Sequence, residues 1–471
     1  MAFLIGGANS AADTAFSVAN SCRFTKGDNA YLSKSLGAPT DADKFTVSYW
    51  IKLGDASAAT RTFFNINNGS SVHTFMQIKT DHVMIFGRYA SGYQGNLTTN
   101  QVFRDYSAWY NVVQVYDSGN ATAGNRMRMY INGTEVTSFS TDTNPDQDLD
   151  SSNIDGATFF VGAYGDDDEL FDGHMAEFCF IDGLALTPSS FGEFDEDSPT
   201  IWKPKDVSGL TFGNNGFYLD FEDGANLGND KNGGTDLGET NLAAIDQCVD
   251  SPTNNFCVMN ILDNYYGAGT FTIGNLKIVT LSSDYTYYTG TIGLTAGLWY
   301  FEAKLTATAD DNQVHVGIAG RVTQDAQHEL GHYNDTYAYY SADGDSRTND
   351  GDTSYGTGFD TGDILGVYID LSANKLYFAK NGTVQNSGTG ISITAPASVT
   401  AGAYFPAVGD WANQSATWEV NFGNPSFSLS SAVADANGYG SFEYDPSSGT
   451  FDSASKNFLA ICTKNLGSDG G

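Results

Sequence analysis

The sequence predicts an all-β protein built from two tandem antiparallel β-sandwiches, with an extended N-terminal arm and a C-terminal tail. Three observations point there. Apolar and polar residues alternate with period two in run after run; the runs are split by Gly, Asn, Asp and Ser; and long Leu/Ala/Glu/Lys stretches of helical period are missing. At 471 residues and 41% hydrophobic, the chain is too long for one sandwich and apolar enough to fill separate cores.

Residues 1–20 are rich in Gly, Ala and Asn and have little to bury, so they read as an attachment arm held by a neighbouring protein. Strands begin at Ser21-Cys22-Arg23-Phe24. Clean alternation follows in Phe45-Thr46-Val47-Ser48-Tyr49-Trp50-Ile51-Lys52-Leu53, and again at residues 62–66, 75–78, 83–87 and 109–117. Further strands are predicted at 126–131, 158–162 and 173–182. Between Leu184 and about Tyr266 prolines break the pattern, although Gly216-Phe217-Tyr218-Leu219-Asp220-Phe221 offers one strand that completes the first sandwich. The clearest local signal comes later. Residues 362–371 and 374–382 read as two strands joined by a Ser-Ala-Asn turn and closed by Asn381-Gly382. The final stretch, 430–471, spaces Tyr439, Phe442, Tyr444, Phe451 and Phe458 among Gly, Ser and Asp, a pattern that packs on the sandwich or on a partner. No heptads or collagen-like triplets occur, so no fibre shaft is encoded in it.

These motifs carry resemblances. The strand Phe45–Leu53, the Trp109-Tyr110-Asn111-Val112-Val113 strand, the Met129-Tyr130-Ile131-Asn132-Gly133 hairpin and Asp172-Gly173-His174-Met175-Ala176-Glu177-Phe178 follow one another as in concanavalin A-like jelly rolls, the group of LamG and pentraxin domains. The 362–382 hairpin resembles the central hairpin of SPRY domains. Gly297-Leu298-Trp299-Tyr300-Phe301-Glu302, Val314-His315-Val316-Gly317, Tyr404-Phe405-Pro406-Ala407-Val408 and Val420-Asn421-Phe422-Gly423 stand around it in SPRY order. The expected organisation is an arm (1–20), a lectin-like sandwich (21–230), a linker (231–270), a SPRY-like sandwich (271–429) and a tail (430–471). Residues 181–183, 202–205, 216–221 and 250–256 also resemble the linker of a group of marine bacteriophage proteins, virion or tail-fibre components with a lectin-like sandwich before a SPRY-like one. That resemblance implies a virion structural protein, a fibre, appendage or capsid decoration, that recognises host-surface glycans or proteins. It implies virion partners met through the arm, a homo-oligomer, and no enzymatic activity. The rival expectations are a polysaccharide depolymerase or glycoside hydrolase on the lectin-like fold, and a SPRY-type protein-interaction adaptor.

Charge narrows the partners. With 22 Lys+Arg against 56 Asp+Glu the net charge is −34, which repels nucleic-acid phosphates and anionic lipid. No window reaches transmembrane length, and the N-terminus lacks the basic segment and apolar run of a signal peptide, so synthesis in a host cytoplasm is expected. The five cysteines form neither a disulfide framework nor a zinc-ligand spacing.

Candidate sites follow from chemistry. Loop tyrosines and tryptophans offer a flat apolar face with a polar tip at low entropic cost, so Tyr89, Tyr93, Tyr164, Tyr337, Tyr339, Tyr340 and Trp411 are candidate carbohydrate contacts. The run Asp166, Asp167, Asp168, Glu169 and Asp172 is the densest carboxylate cluster and the candidate Ca2+ site, with a solvated turn as the preferred reading. Glu193-Phe194-Asp195-Glu196-Asp197 comes nearest to the Glu-x-Asp-x-x-Glu strand of laminarinase-type enzymes, yet lacks its last Glu and sits in a Pro-flanked loop. His328-Glu329-Leu330-Gly331-His332 has the letters of a zinc-protease motif without the helix that chemistry needs.

Overall fold

Antiparallel ladders organise the computed structural model, which describes residues 4–5, 16–54, 59–69, 71–165, 168–263, 267–281, 285–308, 313–322, 328–411 and 415–469. The chain divides into two compact units, Asp13–Thr253, and Asn254–Gly471 together with Met1–Ala12. The all-β expectation holds. Among the described residues the single α-helix is the short Thr463–Asp469, far too short to cross a membrane.

In the first unit two eight-stranded sheets face each other. One runs in the order Thr134–Glu135, Met127–Ile131, Tyr110–Asp117, Lys44–Leu53, Gly173–Asp182, Ser21–Phe24 and Gln247–Cys248, with Phe217–Leu219 also on Gly173–Asp182. The other runs Phe139–Thr143, Tyr93–Val102, Val83–Ala90, Val72–Ile78, Arg61–Asn67, Thr158–Val161, Tyr31–Ser35 and Gly238–Thr240. Alternation places every second side chain between them. Phe45 stacks on Tyr116 at 5.5 Å, Tyr49 on Phe178 at 5.0 Å and Phe64 on Phe159 at 5.6 Å. Each buried ring removes on the order of 150–250 Å² from water, which dominates the stabilisation of such a core. Residues expected to link the domains supply the Gly238–Thr240 and Gln247–Cys248 strands to this unit. Here the fully buried Lys52 ammonium donates to Asp250 at 2.7 Å, and Trp109 Nε1 donates to the other Asp250 oxygen at 3.1 Å.

The second unit pairs a nine-stranded and a six-stranded sheet. At the centre of the larger one, Leu298–Thr308 lies between Ala416–Asn421 and Ile364–Asp370, and Lys375–Lys380 follows. The expected hairpin is present, with Leu365 opposite Lys380 and Asp370 opposite Lys375. Asn381 and Gly382 both take positive φ (48° and 76°), the turn geometry that matches strand twist and that Asn-Gly adopts most cheaply. The smaller sheet runs Thr286–Thr289, Phe405–Asp410, Val314–Ala319, Thr336–Tyr340, Ser346–Thr348 and Gly351–Thr353.

The tail packs back on its own sandwich. Leu459–Ala460 adds a parallel strand to Leu298–Thr308, and Phe442, Phe451 and Phe458 are fully buried, with Phe451 4.7 Å from Tyr368. The buried Glu302 carboxylate fixes this return by accepting the backbone N–H groups of Glu443 (3.0 Å) and Tyr444 (2.8 Å). Of the arm, residues 1–3 and 6–15 lie outside the described residues. Leu4–Ile5 pairs in parallel with Ile292–Gly293, and Val18 is buried against Trp50, Trp109 and Ala176.

Candidate functional site

Three of the proposed contact tyrosines converge on the outer face of the second sheet of the first unit. The ladder sets His73 opposite Tyr89, Phe75 opposite both Asn65 and Gly87, and Tyr89 opposite Tyr93. Period two then puts His73, Phe75 and Gln77 on one face while Thr74, Met76 and Ile78 take the other. Gly87 is what lets the platform lie flat: a Cβ there would sit 2.5 Å from the Phe75 ring. Tyr164 arrives from the loop after Thr158–Val161 and stacks on His73 at 4.7 Å, with Phe75 edge-on at 5.4 Å. Tyr89 and Tyr93 meet edge to face at 5.5 Å, and Tyr93 stays half exposed at 48%.

Polar groups border this aromatic surface. Asn65 Nδ2 donates to the Tyr164 carbonyl, holding that loop down. Gln77 Nε2 donates to Thr62 Oγ1 at 3.1 Å and to the Glu169 carboxylate. Burial raises the Glu169 carboxyl above its usual range, and burial together with Glu169 pushes the Tyr164 hydroxyl up to about 12. Burial, then the nearby Arg88, lowers His73, so the imidazole stays neutral near pH 7. Lys26, Asn29, Ala59, Thr60, Glu169 and Leu170 line an adjoining cavity of about 460 Å³. The surface combines flat apolar faces with a few oriented donors and acceptors, the make-up of a small-ligand site.

The carboxylate run disperses. Asp166 and Asp167 lie outside the described residues. Asp168 is exposed and pairs across a turn with Gly165; Glu169 is taken by Gln77; and buried Asp172 accepts the Lys26 N–H at 3.2 Å. Among the described residues these three carboxylates do not gather at one point. Glu169 instead joins the aromatic surface, an association that sequence spacing does not reveal.

In the second unit the expectation for two rim tyrosines is corrected. Tyr337 and Tyr339 stand in the Thr336–Tyr340 strand, not a loop, and both are buried. Tyr339 stacks on Phe378 at 5.0 Å between the sheets, and its hydroxyl donates to the Thr357 carbonyl at 2.6 Å, so it presents no face to a ligand. Tyr340 and Trp411 do come together, 6.0 Å apart and partly exposed. Beneath them lies the buried His315 ring, stacked on Tyr340 at 4.8 Å. Burial, aided by Arg347, depresses its pKa to about 3, so it is a neutral aromatic floor. The Arg347 guanidinium lies 5.2 Å over the Trp411 ring and is gripped by Asp352 (2.7 and 3.0 Å) and Glu329 (2.8 Å). Sequence reasoning passed over Arg347. Its signal was there, as the one cation amid Asp343, Asp345, Asp350 and Asp352. The acidic loop considered for catalysis forms a short hairpin, in which the Asp197 and Ser198 amides donate to Asp195 at 3.0 and 2.9 Å.

Comparison with known families agrees with this division. Residues 25–190 match the Laminin_G_3 family of the concanavalin A-like lectin/glucanases superfamily, and residues 298–425 match the SPRY domain. The chain carries a concanavalin A-like domain followed by a SPRY domain. Among curated relatives, Ran-binding protein 10 of Danio rerio is 30% identical over 87 residues, 18% of this chain and only 14% of that protein. Among solved structures, the SPRY domain of human HERC1 is 19% identical, covering 31% of this chain and 87% of that one with a TM-score of 0.26. A heptameric SAP-like pentraxin from Limulus polyphemus is 18% identical, covering 37% of this chain and 80% of that one with a TM-score of 0.28. At such TM-scores neither structural likeness carries weight by itself.

Proposed function

We propose that this chain is a binding protein, without catalytic activity, whose concanavalin A-like domain holds glycans on the Tyr89–Tyr93–Tyr164 surface. One observation carries the reading: separate stretches of sequence bring these rings and Phe75 to one sheet face. A sugar presents an apolar ring face and a rim of hydroxyls, and the tyrosines offer a flat face to the first and their own hydroxyls to the second. The order of the two domains and the linker's likeness to marine bacteriophage proteins support the finer reading of a virion protein, fibre or decoration, that recognises host-surface glycans, with the arm as its attachment element.

A glycan array run with and without Ca2+ tests the ligand. Binding of one glycan class by the wild type, weakened in Y93A and Y164A, is expected; equal binding by the variants overturns the site. Deletion of residues 1–15, which keeps the buried Val18, is expected to abolish incorporation into particles while both domains stay folded, and particles that retain the truncated protein overturn the attachment role. The hydrolase rival requires new reducing ends from polysaccharide, and their appearance overturns the non-catalytic reading. The adaptor rival draws on the SPRY match and on the Arg347–Trp411 surface, and it requires a defined peptide partner in pull-downs with no place in a particle.

A further inference from the structure

The turn before the Thr336–Tyr340 strand gathers three side chains that the binding reading leaves unused. His328, Glu329 and His332 each bring a ligand atom within 4.8 Å of the others. No helix holds them. The turn is instead closed by the His332 N–H donating to the Glu329 carbonyl (3.2 Å) and by the Gly331 and Tyr333 N–H groups, which both donate to Thr336 Oγ1 (3.1 Å). Gly331 takes φ +98°, and a Cβ there would press on Arg347 at 2.9 Å, so the turn is specific to glycine.

Around these residues stands a supporting shell. Asp350 Oδ1 lies 2.7 Å from His332 Nδ1, which assigns the proton to Nδ1 and leaves the Nε2 lone pair available. A carboxylate behind an imidazole is the arrangement that orients histidine toward a metal and raises its basicity. Nearly buried Glu329 gives one oxygen to Arg347 and keeps the other. His328 has no hydrogen bond to a described residue, and its ring lies parallel to that of His332 with centroids 3.4 Å apart. Two stacked imidazoles repel one another once protonated, whereas a shared cation draws both together after a small tilt of the His328 ring. Asp350 and Asp352 offset the positive charge of Arg347 beside the cluster.

We propose that His328, Glu329 and His332 form a surface site for a divalent transition cation of the zinc or cobalt kind. Two imidazoles and one carboxylate favour such borderline ions over Ca2+ or Mg2+, which prefer oxygen-only shells. Three protein ligands leave a fourth position open to water or to a donor from a bound partner. Glu329 is a ligand here and not a general base, so no hydrolytic step accompanies the site. The site stands independently of the glycan reading, which concerns the other domain.

The test is a Co2+ titration of the full-length, untagged, chelator-stripped protein, read by visible d–d absorption and reversed by Zn2+. One equivalent of bound Co2+ with tetrahedral-type bands is expected. H328A, whose side chain makes no hydrogen bond to a described residue and outside the cluster meets only the Tyr333 ring among them, is expected to weaken binding at least 10-fold. D350N, which removes the orienting carboxylate and leaves Arg347 its closer partners Asp352 and Glu329, is expected to cost roughly 10–100-fold. H82A, on the other domain, is expected to bind as the wild type does. Absence of saturable absorption in the wild type, unchanged affinity in H328A, or displacement of Co2+ by equimolar Ca2+ overturns the proposal. Far-UV circular dichroism of each variant separates lost binding from lost folding.

Discussion

Replacing Asp410 with Asn changes how stability depends on pH, in a direction the structure fixes. Asp410 closes the Phe405–Asp410 strand just before Trp411 and is fully buried. One carboxyl oxygen accepts the Thr280 hydroxyl, and the other has no hydrogen-bond partner among the described residues. Burial, only partly offset by the Thr280 hydroxyl, disfavours the charge and pushes the pKa up to about 8. An unfolded Asp ionises near 3.9, so between about pH 4 and pH 8 the folded state holds a proton that the unfolded state has released. Stability from this group is therefore complete below pH 4 and is lost as pH rises toward 8. At about 1.4 kcal/mol per pKa unit, the wild type gives up roughly 4 kcal/mol between pH 5 and pH 9 through Asp410 alone. Asn does not titrate. Urea unfolding of both proteins at pH 5, 7 and 9 is the assay, because the general effect of the chain's acidity cancels in the difference. D410N is expected to gain on the wild type by about 4 kcal/mol across that range. Curves that stay parallel to within about 1 kcal/mol would refute the claim that this carboxyl is neutral in the fold.

Further outcomes concern packing and charge. G87A places a methyl against the Phe75 ring and is expected to cost about 1–3 kcal/mol in denaturant unfolding while weakening glycan binding. K52A strands the buried Asp250 carboxylate and is expected to cost about 3–5 kcal/mol, read as a fall in Tm of the concanavalin A-like domain. R347A leaves Glu329 and Asp352 without their guanidinium and Trp411 without its cover. It is expected to destabilise the SPRY domain by about 1–3 kcal/mol and to increase Trp411 quenching by iodide.

The sandwiches were legible because alternation is a local property: Phe45, Val47, Tyr49 and Ile51 announce their buried face without reference to any partner strand. Asn381-Gly382 and Asn132-Gly133 were legible for a similar reason, since positive φ at both positions is a demand on those two residues alone. What lay hidden was set by pairing at long range. Tyr89 and Tyr93 are close in sequence, but Tyr164 and Glu169 reach them only because Thr158–Val161 pairs with Arg61–Asn67. Tyr339 misled because a Tyr-rich run reads equally well as a rim or a core strand, and only its register opposite Val316 decides. The His328–His332 turn misled in the opposite sense. Without a helix its letters looked empty, yet the turn and Asp350 bring the side chains together.

The most direct measurement is isothermal titration of the wild type and Y93A with whichever glycan the array selects. Tyr93, at 48% exposure, is the most open ring of the platform, so its loss disturbs the sandwich less than loss of Tyr89 or Tyr164 would. Loss of one stacked ring is worth about 1 kcal/mol, so Kd is expected to rise roughly 5- to 10-fold with the domain still folded. An unchanged Kd, with the glycan still bound at the concanavalin A-like domain, would contradict the claim that this aromatic face does the holding.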